Sequence, residues 1–478
     1  MSQRLSRRRF GQLTAAGTAG YFFTGPAFSV AKVYGANEKL RFAGVGIGGK
    51  GSSDIDNAAS LGEVVAICDI DEKNIASKTK KWADVKVFHD FRKLFEDAIM
   101  KNVDAVTVST PDHNHALASV MAMKQGKHVY CQKPLTHTVL EARIMRDVAK
   151  KNKVCTQMGN QGTAENGLRR GVEIVQSGIL GEIKEVHVWT NRPVWPQAPI
   201  VTARPPESPV PSGIHWEEFI GTAPMRPYAN YPDSVKASHR GAYHAFNWRG
   251  WWDFGTGAIG DMACHTANMA FMACKLTLPT KVSAEAGNVN LETCPSYAKV
   301  KMEFPANGNR PPLTLFWYEG QKDGVKVTPP AEWVEKAVAL DVGSKGKLVN
   351  SGSIIVGTKG YIYSPDDYGA KIFVGPAKDF AEVQTKKPEK LPINAKGDQG
   401  QKNEWVEAIK AGKPEVALSN FDYASLLTES FLLGNVAIRS GKSFEYDGAT
   451  GKITNAPEAE KFLTVEYRKG WDMLNGMA

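Results

Sequence analysis

The feature that most constrains this chain is Gly46-Ile47-Gly48-Gly49-Lys50-Gly51, set between an apolar run and an amphipathic stretch. Gly46 permits a turn too tight for a side chain, Gly48 lets another group approach the backbone, and Gly51 lets the next helix lie close on the strand. The following residues keep the same alternation. Apolar runs at 40–45, 63–68, 105–109, 128–131 and 154–158 read as buried strands, and helical stretches such as 114–125 and 139–151 lie between them. The second of these helices opens with Thr138 and Glu141 at capping-box spacing, and Leu140, Ile144, Met145 and Val148 form one stripe. Strands alternating with helices imply a parallel, doubly wound α/β sheet, expected over 38–160.

Beyond about residue 180 the texture changes. Runs at 183–189, 281–289, 298–304, 313–318 and 353–356 read as strands without regular helices between them, and several alternate with period two. That pattern implies a mostly antiparallel, open-faced sheet, so 161–478 is expected to form an α+β C-terminal domain for substrate contacts or oligomerisation. Helices return at 404–412 and 420–440. The segment 193–254 is a special case. Ten prolines lie between 193 and 232, and six of the 11 tryptophans lie between 189 and 252. A loop of this length inside a domain is usually functional, and its aromatics suit a core, an oligomer interface or a ligand platform.

Hydrophobic residues make up 42% and charged residues 23%, ordinary values for a globular protein. The net charge is +9, but four arginines fall in the first 31 residues, which hold no acid. The remainder has 55 basic against 50 acidic residues, evenly spread, so no nucleic-acid partner is expected. The six cysteines form no CxxC pair, which excludes a thiolate zinc site and a disulfide scaffold. Ser6-Arg7-Arg8-Arg9-Phe10 precedes a weakly hydrophobic run from Leu13 to Val30, with small residues at Ser29 and Ala31. Residues 1–31 therefore read as a twin-arginine signal, and the expected location is periplasmic or secreted. No later stretch approaches the ~18 apolar residues of a membrane span.

Asp69 closes the second strand, 18 residues beyond Gly51. That is close to the ~20 at which a carboxylate meets the adenosine ribose hydroxyls of a dinucleotide, and a carboxylate there repels a 2′-phosphate. NAD is thus expected rather than NADP. Two motifs follow at later strand ends, Ser109-Thr110-Pro111-Asp112-His113-Asn114-His115 and Cys131-Gln132-Lys133-Pro134-Leu135. Ligands bind at such carboxyl ends in open α/β sheets. Downstream, Asp261 and His265 are four apart and share a helical face. A histidine beside a carboxylate is a general base for a hydroxyl proton, and an ammonium favours the alkoxide that develops. Asp261 and His265 also suit a metal, but no third ligand accompanies them, so no metal is expected.

On these residues the chain resembles the Gfo/Idh/MocA oxidoreductase family from about Lys39 onward. The resemblance implies an N-terminal Rossmann domain in which Gly46, Ile47, Gly48, Gly49, Lys50 and Gly51 hold NAD together with Asp69. It adds Thr110, His115, Lys133 and Asn160 to the cofactor side. It sets Lys133, Asp261 and His265 around a sugar or cyclitol carbon as catalytic residues, with Arg249 and Trp252 joining Asp261 and His265 on the substrate side. It further implies a homo-oligomer, a dimer or tetramer. One departure stands out: Gln132 replaces the acid of the family's Glu-Lys-Pro, so Lys133 loses an expected ion-pair partner. The expected function is NAD-dependent oxidation of a hydroxyl on a sugar, glycoside or cyclitol. Two alternatives share the scaffold: a redox-neutral NAD-dependent glycosidase or lyase, and a non-catalytic sugar-binding protein.

Overall fold

The computed structural model describes residues 38–384, 387–394 and 396–477. The twin-arginine segment lies outside the described residues. The first sheet has six strands: β1 (Leu40–Val45), β2 (Gly62–Cys68), β3 (Lys86–Phe88), β4 (Ala105–Val108), β5 (His128–Gln132) and β6 (Thr156–Gly159). All pair in parallel in the order β3-β2-β1-β4-β5-β6. Alternate side chains serve opposite faces: Leu40 and Phe42 enter one core cluster, Ala43 and Val45 another. The order reverses between β1 and β4, which is where such sheets open a crevice. The register pairs Val45 with Val108 and Val108 with Cys131, so Gly46, Ser109 and Lys133 leave the sheet at nearly the same level.

The helix Val139–Asn152 carries the complete capping box, with Thr138 accepting from the Glu141 amide. A late helix, Gly397–Ala411, returns to the first sheet. Its Trp405 and Ile409 pack with Leu40, Phe42 and Ile67, with the Trp405 ring 5.9 Å from Phe42 and 5.7 Å from Tyr130.

The second sheet holds β7 (Ile183–Trp189), β8 (Lys281–Gly287), β9 (Tyr297–Phe304), β10 (Leu313–Lys322), β11 (Val325–Lys326), β12 (Gly352–Gly357), β13 (Tyr361–Ser364), β14 (Phe373–Gly375), β15 (Phe444–Asp447) and β16 (Lys452–Ile453). β7 and β10 run parallel, and every other pairing is antiparallel. One face packs on the helices Gly257–Thr266 and Phe421–Ser440, with Trp317 meeting Phe431 at 6.3 Å. The opposite face of β8 and β9 carries charged side chains such as Lys301, paired with Glu303 at 2.6 Å.

Candidate active site

The glycine turn is steric necessity. Gly46 has φ +74°, and a Cβ on it would lie 2.7 Å from the Ser109 carbonyl oxygen. A Cβ on Gly51 would lie 2.0 Å from the Gly46 oxygen, and one on Gly48 would lie 2.2 Å from the Asn74 amide nitrogen. Gly49 has φ +50° with open space around it. The helix Lys50–Ala59 begins there with no side-chain cap on its first amides. Free N–H groups at the positive end of a helix dipole form an anion site, which suits a pyrophosphate. Ile47 is buried and braces the turn from beneath.

Asp69 holds the turn closed. The Ile47 and Gly48 amides donate to its Oδ2 at 2.7 and 3.1 Å, and the Asp71 amide and Asn74 Nδ2 donate to Oδ1 at 2.9 and 3.1 Å. Burial raises its pKa, and these hydrogen bonds pull the other way. Lys50 pairs with Asp54 at 3.0 Å and with Asp398 of the late helix at 2.7 Å.

His115 ties two strand-end loops together, its ring nitrogens lying 2.8 Å from both the Pro134 and Thr110 carbonyl oxygens. Burial opposes charge on this ring, but the Cys131 thiol and the two carbonyls raise its pKa. Its role here is to position Thr110 and Lys133.

Lys133 donates to Asp261 Oδ1 at 2.7 Å and to the Asp261 carbonyl at 2.9 Å. This corrects the expectation drawn from Gln132: the lysine has its ion-pair partner, supplied by the second half of the chain. Gln132 donates instead to Asp54 Oδ2 at 2.7 Å. Asp54 is fully buried and already receives Lys402 at 2.8 Å and the Ser109 hydroxyl at 2.8 Å. A neutral amide at 132 satisfies this carboxylate, whereas a second carboxylate there would repel it.

Asp261 also faces Arg249 Nε at 3.3 Å and Arg192 Nε at 3.6 Å. Burial favours its neutral form, but Lys133 and Arg249 overcome this and hold its carboxyl well below the usual carboxylate range. His265 follows one turn on: its Nδ1 has no hydrogen-bond partner among the described residues, and its ring meets Tyr368 edge-on at 5.0 Å. Burial, aided by the Lys133 charge, pushes its pKa far down, so the ring is a neutral imidazole.

A cavity of about 490 Å³ joins these parts. The glycine turn and Asp69 wall one end, Lys133, Asp112 and Arg249 the other, and Thr110 stands between. Asp261 joins the cavity through its bonds to Lys133 and Arg249, both of which line it, and His265 follows one helical turn on. Asn160 is fully buried, donating to the Cys264 carbonyl at 3.1 Å and accepting from Gln401. It braces β6 against the helix Gly257–Thr266. Trp252 is likewise packed inside, its indole donating to the Asn290 carbonyl at 3.2 Å with Arg439 over its ring at 5.0 Å.

Sequence reasoning passed over Asp112 and Arg192. The motif around Pro111 displays Asp112, but its partner, the Thr256 hydroxyl at 2.7 Å, lies 144 residues away.

The segment 193–254 folds around its own small core of Phe219, Tyr231, Tyr243, Trp251 and Phe254. Arg226 is buried in it, 5.0 Å over Phe254 and in contact with Asp253. Most of the tryptophans are therefore core, while Trp248, Phe246 and Phe219 reach the cavity. The same segment docks on the rim of the nucleotide end. The Glu72 amide donates to Gly213 at 2.9 Å, the His215 amide donates to Ile70 at 2.8 Å, and His215 stacks on His89 at 3.8 Å. Both imidazoles face Glu72 Oε1, at 3.0 and 3.2 Å. One carboxylate oxygen thus holds both ring nitrogens and fixes the stack on the rim.

Residues 40–160 match the profile described as oxidoreductase family, NAD-binding Rossmann fold, and residues 167–311 match its C-terminal alpha/beta domain. An inositol 2-dehydrogenase of Salmonella paratyphi B is 32% identical over 148 residues, 30% of this chain and 43% of that one. A glycosyl hydrolase family 109 protein of Solibacter usitatus is 30% identical over 159 residues, 31% of this chain and 36% of that one. The alignment thus spans less than half of either relative's length. In fold, the chain is similar to the WlbA dehydrogenase of Chromobacterium violaceum, solved with NADH and UDP-GlcNAcA: TM-score 0.57, 15% identity, 88% of this chain and 99% of that one. The glycine turn, the uncapped helix end and the cavity fit the dinucleotide named by the family description and by the solved dehydrogenase, and the chain belongs to the Gfo/Idh/MocA oxidoreductase family, with an NAD-binding Rossmann domain as its first sheet.

Proposed function

We propose that this protein oxidises a hydroxyl of a sugar, glycoside or cyclitol by hydride transfer, after export by the twin-arginine route. The observation that carries the reading is the shared cavity: the glycine turn at one end and the Lys133 ammonium at the other. NAD supplies the hydride acceptor. Lys133, neutralised by Asp261, meets the hydroxyl oxygen and favours the alkoxide as the hydride leaves. Arg249 and Arg192 share the Asp261 charge and fix its side chain, so the ammonium is held rather than mobile. The hydroxyl proton goes to a buried base, for which the sequence pattern offers His265.

A second reading is a redox-neutral cycle in which the same hydroxyl is oxidised, a glycosidic bond is broken and the carbonyl is reduced again. One structural observation favours it: the segment 193–254 is bonded to both Ile70 and Glu72 at the adenosine rim, an arrangement that retains a cofactor. The similarity to a family 109 glycosyl hydrolase points the same way. Purified protein incubated with NAD and a panel of myo-inositol, free sugars and nitrophenyl glycosides separates the two. Net NADH formation supports the first reading, aglycone release without NADH supports the second, and neither on any substrate overturns both.

A further inference from the structure

We propose that Glu72, His89 and His215 form a binding site for a divalent transition metal ion of the zinc class, and that the ion clasps the segment 193–254 to the rim at the glycine-turn end of the cavity. The three residues come from three places. Glu72 opens the helix Glu72–Thr79, His89 follows β3, and His215 precedes the short helix Trp216–Ile220. Glu72 and His215 lie 143 residues apart, so no ligand spacing announces them in the sequence. Backbone bonds hold both in place: the Glu72 amide donates to Gly213, the His215 amide to Ile70, and Asp71 and Ile214 form a bridge between them. The donor atoms, one from each residue, all lie within 4.8 Å of one another. His89 Nε2 and His215 Nε2 stand 3.2 and 3.0 Å from the same Glu72 oxygen. Zinc bonds of ~2.1 Å at tetrahedral angles set neighbouring donors about 3.4 Å apart, a few tenths of an ångström wider than these gaps.

The direction of one hydrogen bond argues for a cation. His89 Nδ1 lies 2.9 Å from the Asp69 carbonyl oxygen, which can only accept, so Nδ1 carries the hydrogen. In the neutral ring Nε2 is then a lone pair, and it faces a carboxylate oxygen. Two acceptors meet there, and a cation between them satisfies both. A carbonyl behind the far nitrogen is also the support that fixes tautomer and orientation in metal-ligating imidazoles. Imidazole donors suit zinc, copper, nickel or iron, whereas magnesium and calcium prefer oxygen. The rings stack at 3.8 Å, so seating the ion requires one of them to turn. His215, whose side chain is 35% exposed against 29% for His89, is the one that swings about its side-chain bonds. Water completes the coordination on the solvent side. His89 lines the cavity beside Asp69 and Asp71. An ion joining it to Glu72 and His215 therefore ties the segment 193–254 across the edge of the nucleotide domain and slows passage of a dinucleotide past that edge. The site takes no part in hydride transfer and stands apart from the reading of the reaction.

The test needs no substrate. Tag-free protein, stripped with a chelator and then freed of it, is dialysed to equilibrium against zinc chloride and its metal content measured. Wild type should take up one equivalent that Glu72→Gln, His89→Gln and His215→Gln each lose, and magnesium or calcium chloride should give no uptake. Cobalt chloride should give wild type the strong visible bands of a tetrahedral site, absent from His89→Gln. Circular dichroism establishes that the variants are folded, and should one of them fail, the other two and the cobalt spectrum still decide. Stopped-flow displacement should show NADH leaving zinc-loaded wild type several-fold more slowly than stripped wild type, with no effect of zinc on His215→Gln. A wild type that takes up no zinc overturns the site, as do three folded variants that take up as much as wild type. Zinc uptake with the same NADH off-rate in loaded and stripped protein overturns the clasp. None of these readouts depends on turnover, so an enzyme inert to every sugar would fail the oxidoreductase reading and leave the metal site standing.

Discussion

Asp69 carries two loads. The function proposed above gives it the adenosine ribose to hold, and in the structure it accepts four hydrogen bonds that shape the glycine turn. Asp69→Ala should therefore weaken NADH by about 10- to 100-fold, the loss expected for charge-assisted hydrogen bonds, and weaken NADPH less. Fluorescence titration with both nucleotides checks this, and an unchanged preference would refute it. Lys133→Met should leave NADH binding near wild type and cut turnover about 10²- to 10³-fold, as for removal of a group that stabilises an oxyanion. Asp69 and Lys133 were legible because a glycine spacing and a strand end locate them before any tertiary structure is known. Arg192 and the bond from Thr256 to Asp112 were not, because only the assembled fold brings those partners together.

At the level of elements, the substitution that breaks the family pattern is explained by a helix from the far end of the chain. Gln132 at the end of β5 and Lys402 on the helix Gly397–Ala411 both serve Asp54, and Lys402 also stands 3.2 Å over the Tyr130 ring. Burial lowers the Lys402 pKa to about 8, opposed by Asp54. Removing one partner of a buried pair leaves the other charge uncompensated, so Lys402→Met should lose about 3–5 kcal/mol of stability. Gln132→Glu takes a donor from Asp54 and adds a like charge, and should cost about 1–3 kcal/mol. Denaturant unfolding of the two variants measures both, and wild-type midpoints would show that the cluster contributes nothing. The long strands and the capped helix Val139–Asn152 were readable from periodicity. β3 has three residues and β16 has two, too short for any period to register, and their places are set by pairing alone.

Over the whole molecule, the segment 193–254 is bonded to the rim of the glycine-turn end of the cavity at Ile70 and Glu72. Glu72→Ala would remove the shared acceptor of His89 and His215 and loosen that rim. The expected outcome is faster NADH dissociation in stopped-flow displacement, with turnover chemistry at Lys133 unaffected; an unchanged off-rate would show that the rim does not limit exchange. Composition announced this segment as unusual, but neither its core around Arg226 nor its docking on Ile70 and Glu72 could be read from prolines and tryptophans. The returning helix Gly397–Ala411 has a different consequence, one of time rather than space. Asp54 and Lys402 are 348 residues apart, yet both are needed to close one face of the first sheet. While the chain is being synthesised, Phe42, Tyr130 and Asp54 wait uncovered until nearly all of it has left the ribosome. The nucleotide domain, first to be made, is thus among the last to be finished, and a nascent chain arrested before residue 397 should retain no dinucleotide.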